Sequence, residues 1–64
     1  MPKFNKGAKV KIRYDSTSPY WGKVGVVEKE PEKYPTGYTY VVRLDINGFL
    51  VSDRFKEKEL DSIE

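Results

Sequence analysis

Three basic side chains, Lys9, Lys11 and Arg13, alternate with Ala8, Val10, Ile12 and Tyr14 near the start of the chain. In a β-strand that alternation sends the cations to one face at intervals of about 6.6 Å, close to the phosphate repeat of a nucleic-acid strand. With Lys23 they make a row able to track a phosphodiester backbone or an acidic protein surface. The same alternation on the outer face of a half-buried strand is also ordinary solubility chemistry. Tyr20 and Trp21 close the segment Asp15-Ser16-Thr17-Ser18-Pro19, which is all turn-forming residues. Two large amphipathic rings at a loop end can form a stacking platform or a protein hot spot, or can cap a core. Tyr34 and Tyr38 flank a further Pro-containing turn and are candidates for the same aromatic patch. The candidate partner-binding residues are therefore Lys9, Lys11, Arg13, Tyr20, Trp21, Lys23, Tyr34 and Tyr38.

Other chemistries are excluded by residue type. The chain has no Cys and no His, so disulfides, thiolate zinc sites and nucleophilic triads built on His or Cys do not arise. A metal site would have to use carboxylates alone. Asp53, Glu57, Glu59, Asp61 and Glu64 cluster near the end, but Arg54, Lys56 and Lys58 are interleaved with them, which describes a charged, solvated turn. Gly22 and Gly25 could admit a phosphate to the backbone; a bulge or a close backbone crossing explains them more simply. No phosphate-cradling loop and no nucleophile–base pairing is present. No catalytic residue, metal, cofactor or small-molecule substrate is expected, and the chain is read as a non-enzyme.

With 64 residues and 7.4 kDa, the chain is one domain, spanning 1–64, with residues 1–5 and 64 expected to fray. About 60% of the surface of so small a chain is buried on folding, leaving little room for a deep cavity. No apolar run approaches the roughly 20 residues of a membrane span, and no apolar leader opens the sequence, so a cytoplasmic protein without membrane insertion is expected. Gln is absent while Lys and Glu abound, a bias of thermophilic type. Residues 1–29 carry seven basic and two acidic side chains, a net of +5, and residues 30–64 five basic and eight acidic, a net of −3. That polarity can orient the molecule on a charged partner.

The elements that must position these residues read as strands. Ala8 to Tyr14 alternates without error, with Val10, Ile12 and Tyr14 inward. Gly22 to Lys29 is a second, Val-rich strand, and Glu30 to Gly37, with Pro31 and Pro35, a long loop. Tyr38 to Asp45 is β-branched and aromatic until its end, with Tyr40, Val42 and Leu44 on the core face. Asn47-Gly48 between Ile46 and Phe49 is the signature of a two-residue type I′ hairpin, and Phe49-Leu50-Val51 is the return strand. One 3₁₀ turn fits within Asp53 to Glu59, and Leu60 to Ile63 supplies a short last strand. Five short strands with a 3₁₀ turn before the last describe a small, strongly bent antiparallel barrel. The expected core is Val10, Ile12, Val24, Val27, Tyr40, Val42, Leu44, Phe55 and Leu60.

In order and phrasing these elements resemble the SH3-like barrel superfamily. Lys6-Gly7-Ala8-Lys9-Val10-Lys11-Ile12 looks like the opening strand of many such barrels. Tyr20-Trp21-Gly22-Lys23-Val24-Gly25-Val26-Val27 is similar to the KOW motif, Y-x-G-x-x-G-x-V, and Phe55-Lys56-Glu57-Lys58-Glu59-Leu60 to the F-x-x-x-E-L ending. The run of phrases is most similar to photosystem I subunit IV and the electron-transport accessory proteins, through Gly7–Arg13, Tyr20-Trp21, Val24–Val27, Tyr34-Pro35, Val42-Arg43-Leu44 and Phe55–Leu60. It departs from them in the shorter spacing from Trp21 to Val24 and in Ser52-Asp53-Arg54, which stands in place of an Asn-rich stretch. The resemblance implies a five-stranded SH3-like barrel and a non-catalytic accessory module. Such a module docks on a larger protein assembly and helps a carrier such as ferredoxin to bind. The alternative is a KOW-like module that binds RNA or DNA weakly through the basic strand face and exposed aromatics. In either role the isolated domain is expected to be a monomer.

Overall fold

The computed structural model describes residues 1–63; Glu64, one of the carboxylates considered above, lies outside the described residues. The chain is all-β. Its strands are β1 (Lys9–Ile12), β2 (Val24–Val27), β3 (Glu32–Tyr34), β4 (Gly37–Ile46), β5 (Phe49–Lys56) and β6 (Leu60–Ser62), with a 3₁₀ turn at Glu57–Glu59 before the last. All pairings are antiparallel. No helix among the described residues is long and apolar enough to cross a membrane.

The ten-residue β4 organises the sheet. One edge pairs with β5 over Thr39–Ile46; the other pairs with β3 over Gly37–Thr39 and with β2 over Val42–Leu44. From β2 the sheet continues through β1 to β6. The hydrogen-bonded path is open: β5 and β6 are joined through the 3₁₀ turn, and no ladder between them is formed among the described residues. Six strands among the described residues replace the expected five. The extra one, β3, lies between Pro31 and Pro35, within the expected loop. A three-residue edge strand flanked by prolines keeps both of them out of the ladder, so neither removes a needed donor.

The hairpin of β4 and β5 turns at Asn47 and Gly48, with φ of 53° and 88°, the left-handed pair that a type I′ turn requires. The Asp45 carboxylate accepts from the Gly48 amide at 2.9 Å. This hairpin runs beyond β2 and makes the molecule 34 × 23 × 20 Å. The surface is 4591 Å², against about 4,200 Å² for an average compact protein of this mass; a protruding ribbon accounts for an excess of that sign.

Eight of the nine expected core residues are buried. The exception is Val24, which is 49% exposed. Val24 and Val27 are three apart, and an unbroken strand sends positions of opposite parity to opposite faces. With Val27 inward, the other inward position is Gly25, which pairs with Val10 on one side and Leu44 on the other. A Cβ on Gly25 would lie 2.5 Å from the Arg43 carbonyl oxygen and 2.6 Å from Leu44 Cδ2, so the close backbone crossing expected from the glycines falls here. Tyr14 also departs from expectation: it is 67% exposed rather than inward. β1 ends at Ile12, the Ser16 amide turns back on the Arg13 carbonyl at 3.1 Å, and alternation stops before Tyr14.

Phe4 joins the core, packed edge-on to Tyr40 with ring centroids 5.4 Å apart. The Tyr40 hydroxyl donates to the Glu57 carboxylate at 2.6 Å and accepts from the amides of Lys3 at 3.0 Å and Phe4 at 3.3 Å. Lys3 N–H also donates to Glu57 at 3.1 Å. This network ties the N-terminal segment and the 3₁₀ turn to β4.

Candidate binding face

On the outer face of β1, Lys9 and Lys11 stand opposite Val26 and Val24 of β2, and Val26 stands opposite Arg43 of β4. Lys9, Lys11 and Arg43 therefore share one face of the sheet, with valines between them. At the end of β1 the Lys11 ammonium lies 4.9 Å from the centroid of the Tyr14 ring, within cation–π range. Tyr14 in turn packs against Trp21, centroids 5.5 Å apart and ring planes tilted by 52°. Trp21 is 54% exposed. Tyr14, Pro19, Trp21, Gly22 and Lys23 surround a shallow depression, and Tyr14 lies against Gly22, where a Cβ would meet its ring at 3.2 Å. The result is an exposed aromatic pair with Lys11 on one ring and Lys23 at its rim.

The loop that carries these rings is stapled by its serines. Ser16 Oγ donates to the Glu59 carboxylate at 2.6 Å and accepts from the Ser18 amide at 3.1 Å. Ser18 Oγ accepts from the Tyr20 amide at 3.1 Å, and the Ser18 carbonyl from Trp21 N–H at 3.3 Å. Such local side-chain bonds replace the ladder that the loop lacks. The Gly22 amide then donates to the Ile12 carbonyl at 2.8 Å and the Ile12 amide to the Lys23 carbonyl at 2.9 Å. Trp21 is thereby held beside the end of β1.

The eight sequence candidates divide. Lys11, Trp21 and Lys23 come together, and Lys9 continues the row along β1. Arg13 is engaged elsewhere: its guanidinium contacts the Asp15 carboxylate at 3.1 Å and Asp61 at 3.2 Å. The hydrogen bond to Asp15 raises the Arg13 pKa, and Arg13 lowers that of Asp15. Its charge is locally neutralised. Tyr20 and Tyr38 are partly buried against the core. Tyr38 lines a separate open depression with Lys3, Thr36, Lys56 and Lys58, and Tyr34 sits on β3 in the same hairpin as Tyr38. Sequence reasoning missed two members of the face. Arg43 was legible, because it alternates with Val42 and Leu44 and must point outward. Tyr14 was legible only from the turn residues that begin directly after it.

The clustered carboxylates are held in structural bonds. Glu57 bonds Tyr40 and Lys3; Glu59 accepts from Ser16 and, at 3.0 Å, from the Lys56 amide; Asp61 pairs with Arg13; and Asp53 accepts from the Arg54 amide at 2.8 Å. The Tyr40 hydroxyl depresses the Glu57 pKa first, with the Lys3 amide adding to it. Burial, and then Glu57, raises that of Tyr40.

Comparison with known proteins returned no matching family model, no similar curated protein and no similar solved structure.

Proposed function

We propose that this chain is an SH3-like barrel acting as a non-enzymatic accessory module, docking on an acidic surface of a larger protein assembly. The observation that carries the reading is the exposed Tyr14–Trp21 pair with the Lys11 ammonium over Tyr14. Large rings left in solvent beside cations are the composition of an interface centre, where Trp, Tyr and Arg dominate binding energy. Lys9, Lys23 and Arg43 supply a positive rim that steers a negatively charged partner. The strand order, the two-residue hairpin and the 3₁₀ turn before β6 support the barrel reading, and the phrases shared with electron-transport accessory proteins support the accessory role.

The test is affinity capture on the immobilised protein, followed by titration of the ¹⁵N-labelled chain with whatever is captured. Trp21→Ala should weaken binding by about 2 kcal/mol or more, roughly 30-fold, and the shifted amides should be those of residues 9–14 and 20–24. A captured partner whose affinity ignores Trp21→Ala would refute the assignment of the face. A short single-stranded oligonucleotide that shifts the same amides saturably, and less so as salt rises, would instead refer the rings and lysines to base stacking and phosphate contacts.

A further inference from the structure

Next to Arg43, whose partner across the ladder is Ser52, β5 has a free edge, and its chemistry changes along its length. In a two-residue hairpin the residues flanking the turn exchange both backbone bonds, so Ile46 and Phe49 form a hydrogen-bonded pair. Counting along β5, positions 49, 51, 53 and 55 bond to β4, and 50, 52, 54 and 56 turn their amides outward. Two of those outward amides are sealed by side chains. The Arg54 amide donates to the Asp53 carboxylate at 2.8 Å, and the Lys56 amide to Glu59 at 3.0 Å. Leu50 and Ser52 keep theirs open among the described residues. The same short stretch carries the most exposed large apolar side chains of the hairpin, Phe49 at 75% and Leu50 at 70%. An open edge flanked by exposed apolar residues is a template for another strand.

We infer that two copies of this chain pair antiparallel along β5, with the two-fold axis at Val51. The register follows from which amides are open. Pairing about Val51 sets Leu50 opposite Ser52 of the second copy and the reverse, and the open groups of both copies then satisfy one another. A two-fold at Ser52 would need the Arg54 amide, which Asp53 occupies. A two-fold at Asp53 would set two carboxylates face to face, which is repulsive. The Val51 register also extends the apolar row of the hairpin. Leu44 stands opposite Val51, so Leu44, Val51 and their counterparts run unbroken across the junction on the inner face. Phe49 meets Asp53 of the second copy, and no like charges are opposed. The occupant is a second copy because the open segment is self-complementary about its own centre. Three residues a side bury an area below about 1,200 Å², the range of weak and transient interfaces. The monomer expected from the sequence is then the species at low concentration.

Sedimentation and ¹H–¹⁵N spectra of the full chain from about 10 μM to about 1 mM, the range of a weak interface, test this. The expected result is a monomer–dimer equilibrium in which the Leu50 and Ser52 amides shift and gain exchange protection with concentration, while those of Arg54 and Lys56 change less. Ser52→Pro removes one outward donor per copy without touching the ladder to β4, although it also deletes the bond from Ser52 Oγ to the Glu28 carboxylate at 2.5 Å, and should weaken association at least about tenfold. If Ser52→Pro loses its dispersed spectrum, Leu50→Lys decides instead: it keeps the amide and places two new charges beside the axis. A chain that stays monomeric with invariant shifts at the highest concentration overturns the inference and leaves the edge to a different strand. A dimer indifferent to the folded variant, or with its shifts elsewhere, overturns it as well.

Discussion

Gly25 is the position at which the packing of this sheet can be tested most directly. It lies in the middle of β2, and its φ is not in the left-handed region. Alanine there carries no backbone strain, and the smaller entropy of its unfolded chain favours it by about 0.4–1 kcal/mol. Packing opposes this. The new methyl would sit 2.5 Å from the Arg43 carbonyl oxygen, 2.6 Å from Leu44 Cδ2 and 2.7 Å from Val42 Cγ1. Two of these neighbours are side chains of a buried strand and the third is backbone, so none can swing aside. Overpacking of a filled core costs about 1–3 kcal/mol, and three simultaneous clashes belong at the upper end. The expected net loss for Gly25→Ala is about 2–3 kcal/mol, or a melting temperature roughly 10–20 °C lower at about 4–8 °C per kcal/mol. A domain of 64 residues holds only about 3–10 kcal/mol in total, so the variant should be barely folded at 37 °C. Urea melts followed by far-UV circular dichroism give the number. Gly7→Ala is the control: its site is open to 4 Å but φ is +91°, so it should cost about 1–2 kcal/mol through the backbone alone. Gly25→Ala as stable as wild type would refute the close approach of β2 and β4, and with it the inward parity of the strand.

The other expectations are simpler. Val24→Ala, although it shortens a hydrophobic residue within a strand, should change stability by less than about 0.5 kcal/mol, because Val24 lies on the outer face; a loss of 2 kcal/mol in the same urea melts would put it back in the core. Phe4→Ala should cost about 3–5 kcal/mol, the usual loss for a buried Phe, and a variant indifferent to it would show residues 1–5 to be undocked. Glu57 has its pKa lowered below the ordinary 4.5 by Tyr40 and Lys3, so its contribution is present above the unfolded value and lost as pH falls through the folded one. Acid titration of stability should therefore steepen below pH 4.5, and Tyr40→Phe should flatten that segment, which one pair of pH-dependent melts decides.

Much of the fold was legible because alternation and turn chemistry agree over most of the chain. Val10 and Ile12, then Tyr40, Val42 and Leu44, are placed inward by period two alone, and Asn47-Gly48 places the hairpin. What failed did so where a local pattern is overruled by pairing. β3 is invisible because three residues between prolines carry no periodicity; only its ladder with Gly37–Thr39 makes it a strand. Phe4 is invisible for the same reason, since it is fixed by Tyr40 and not by its neighbours. Arg13 reads as the third cation of a row; Asp15, two positions on, is a local partner for its guanidinium, but nothing in the spacing shows that Asp61, 48 positions away, is the second. Long-range partners of this kind decide which members of a periodic set remain free.

The failures share a direction that bears on function. Period-two reasoning assigns Tyr14 and Val24 to the core, and treats Phe49 and Leu50 as an ordinary return strand. The folded chain leaves all four exposed. Exposing large apolar groups costs solubility, and a domain this small has little apolar area to leave unused. The polar remainder does not compensate: the carboxylates near the end are spent on Tyr40, Ser16, Arg13 and the outward amides of β5. Those exposed residues fall at two places on the sheet. Tyr14 with Trp21 stands beside Lys11 and Lys23, and Val24 lies opposite Lys11 on the same face. Phe49 and Leu50 stand where the outward amides of β5 are open among the described residues. Local pattern and tertiary fold conflict at these places. Such conflict is expected where a surface is kept for a partner instead of for stability. Because Arg43 stands opposite Ser52, a second copy along β5 adjoins the Arg43 side of the binding face, whereas the rings of Tyr14 and Trp21 stand beside Lys11 and Lys23. A partner that covers the rings alone leaves the β5 edge open, and one that also engages Arg43 competes with the second copy.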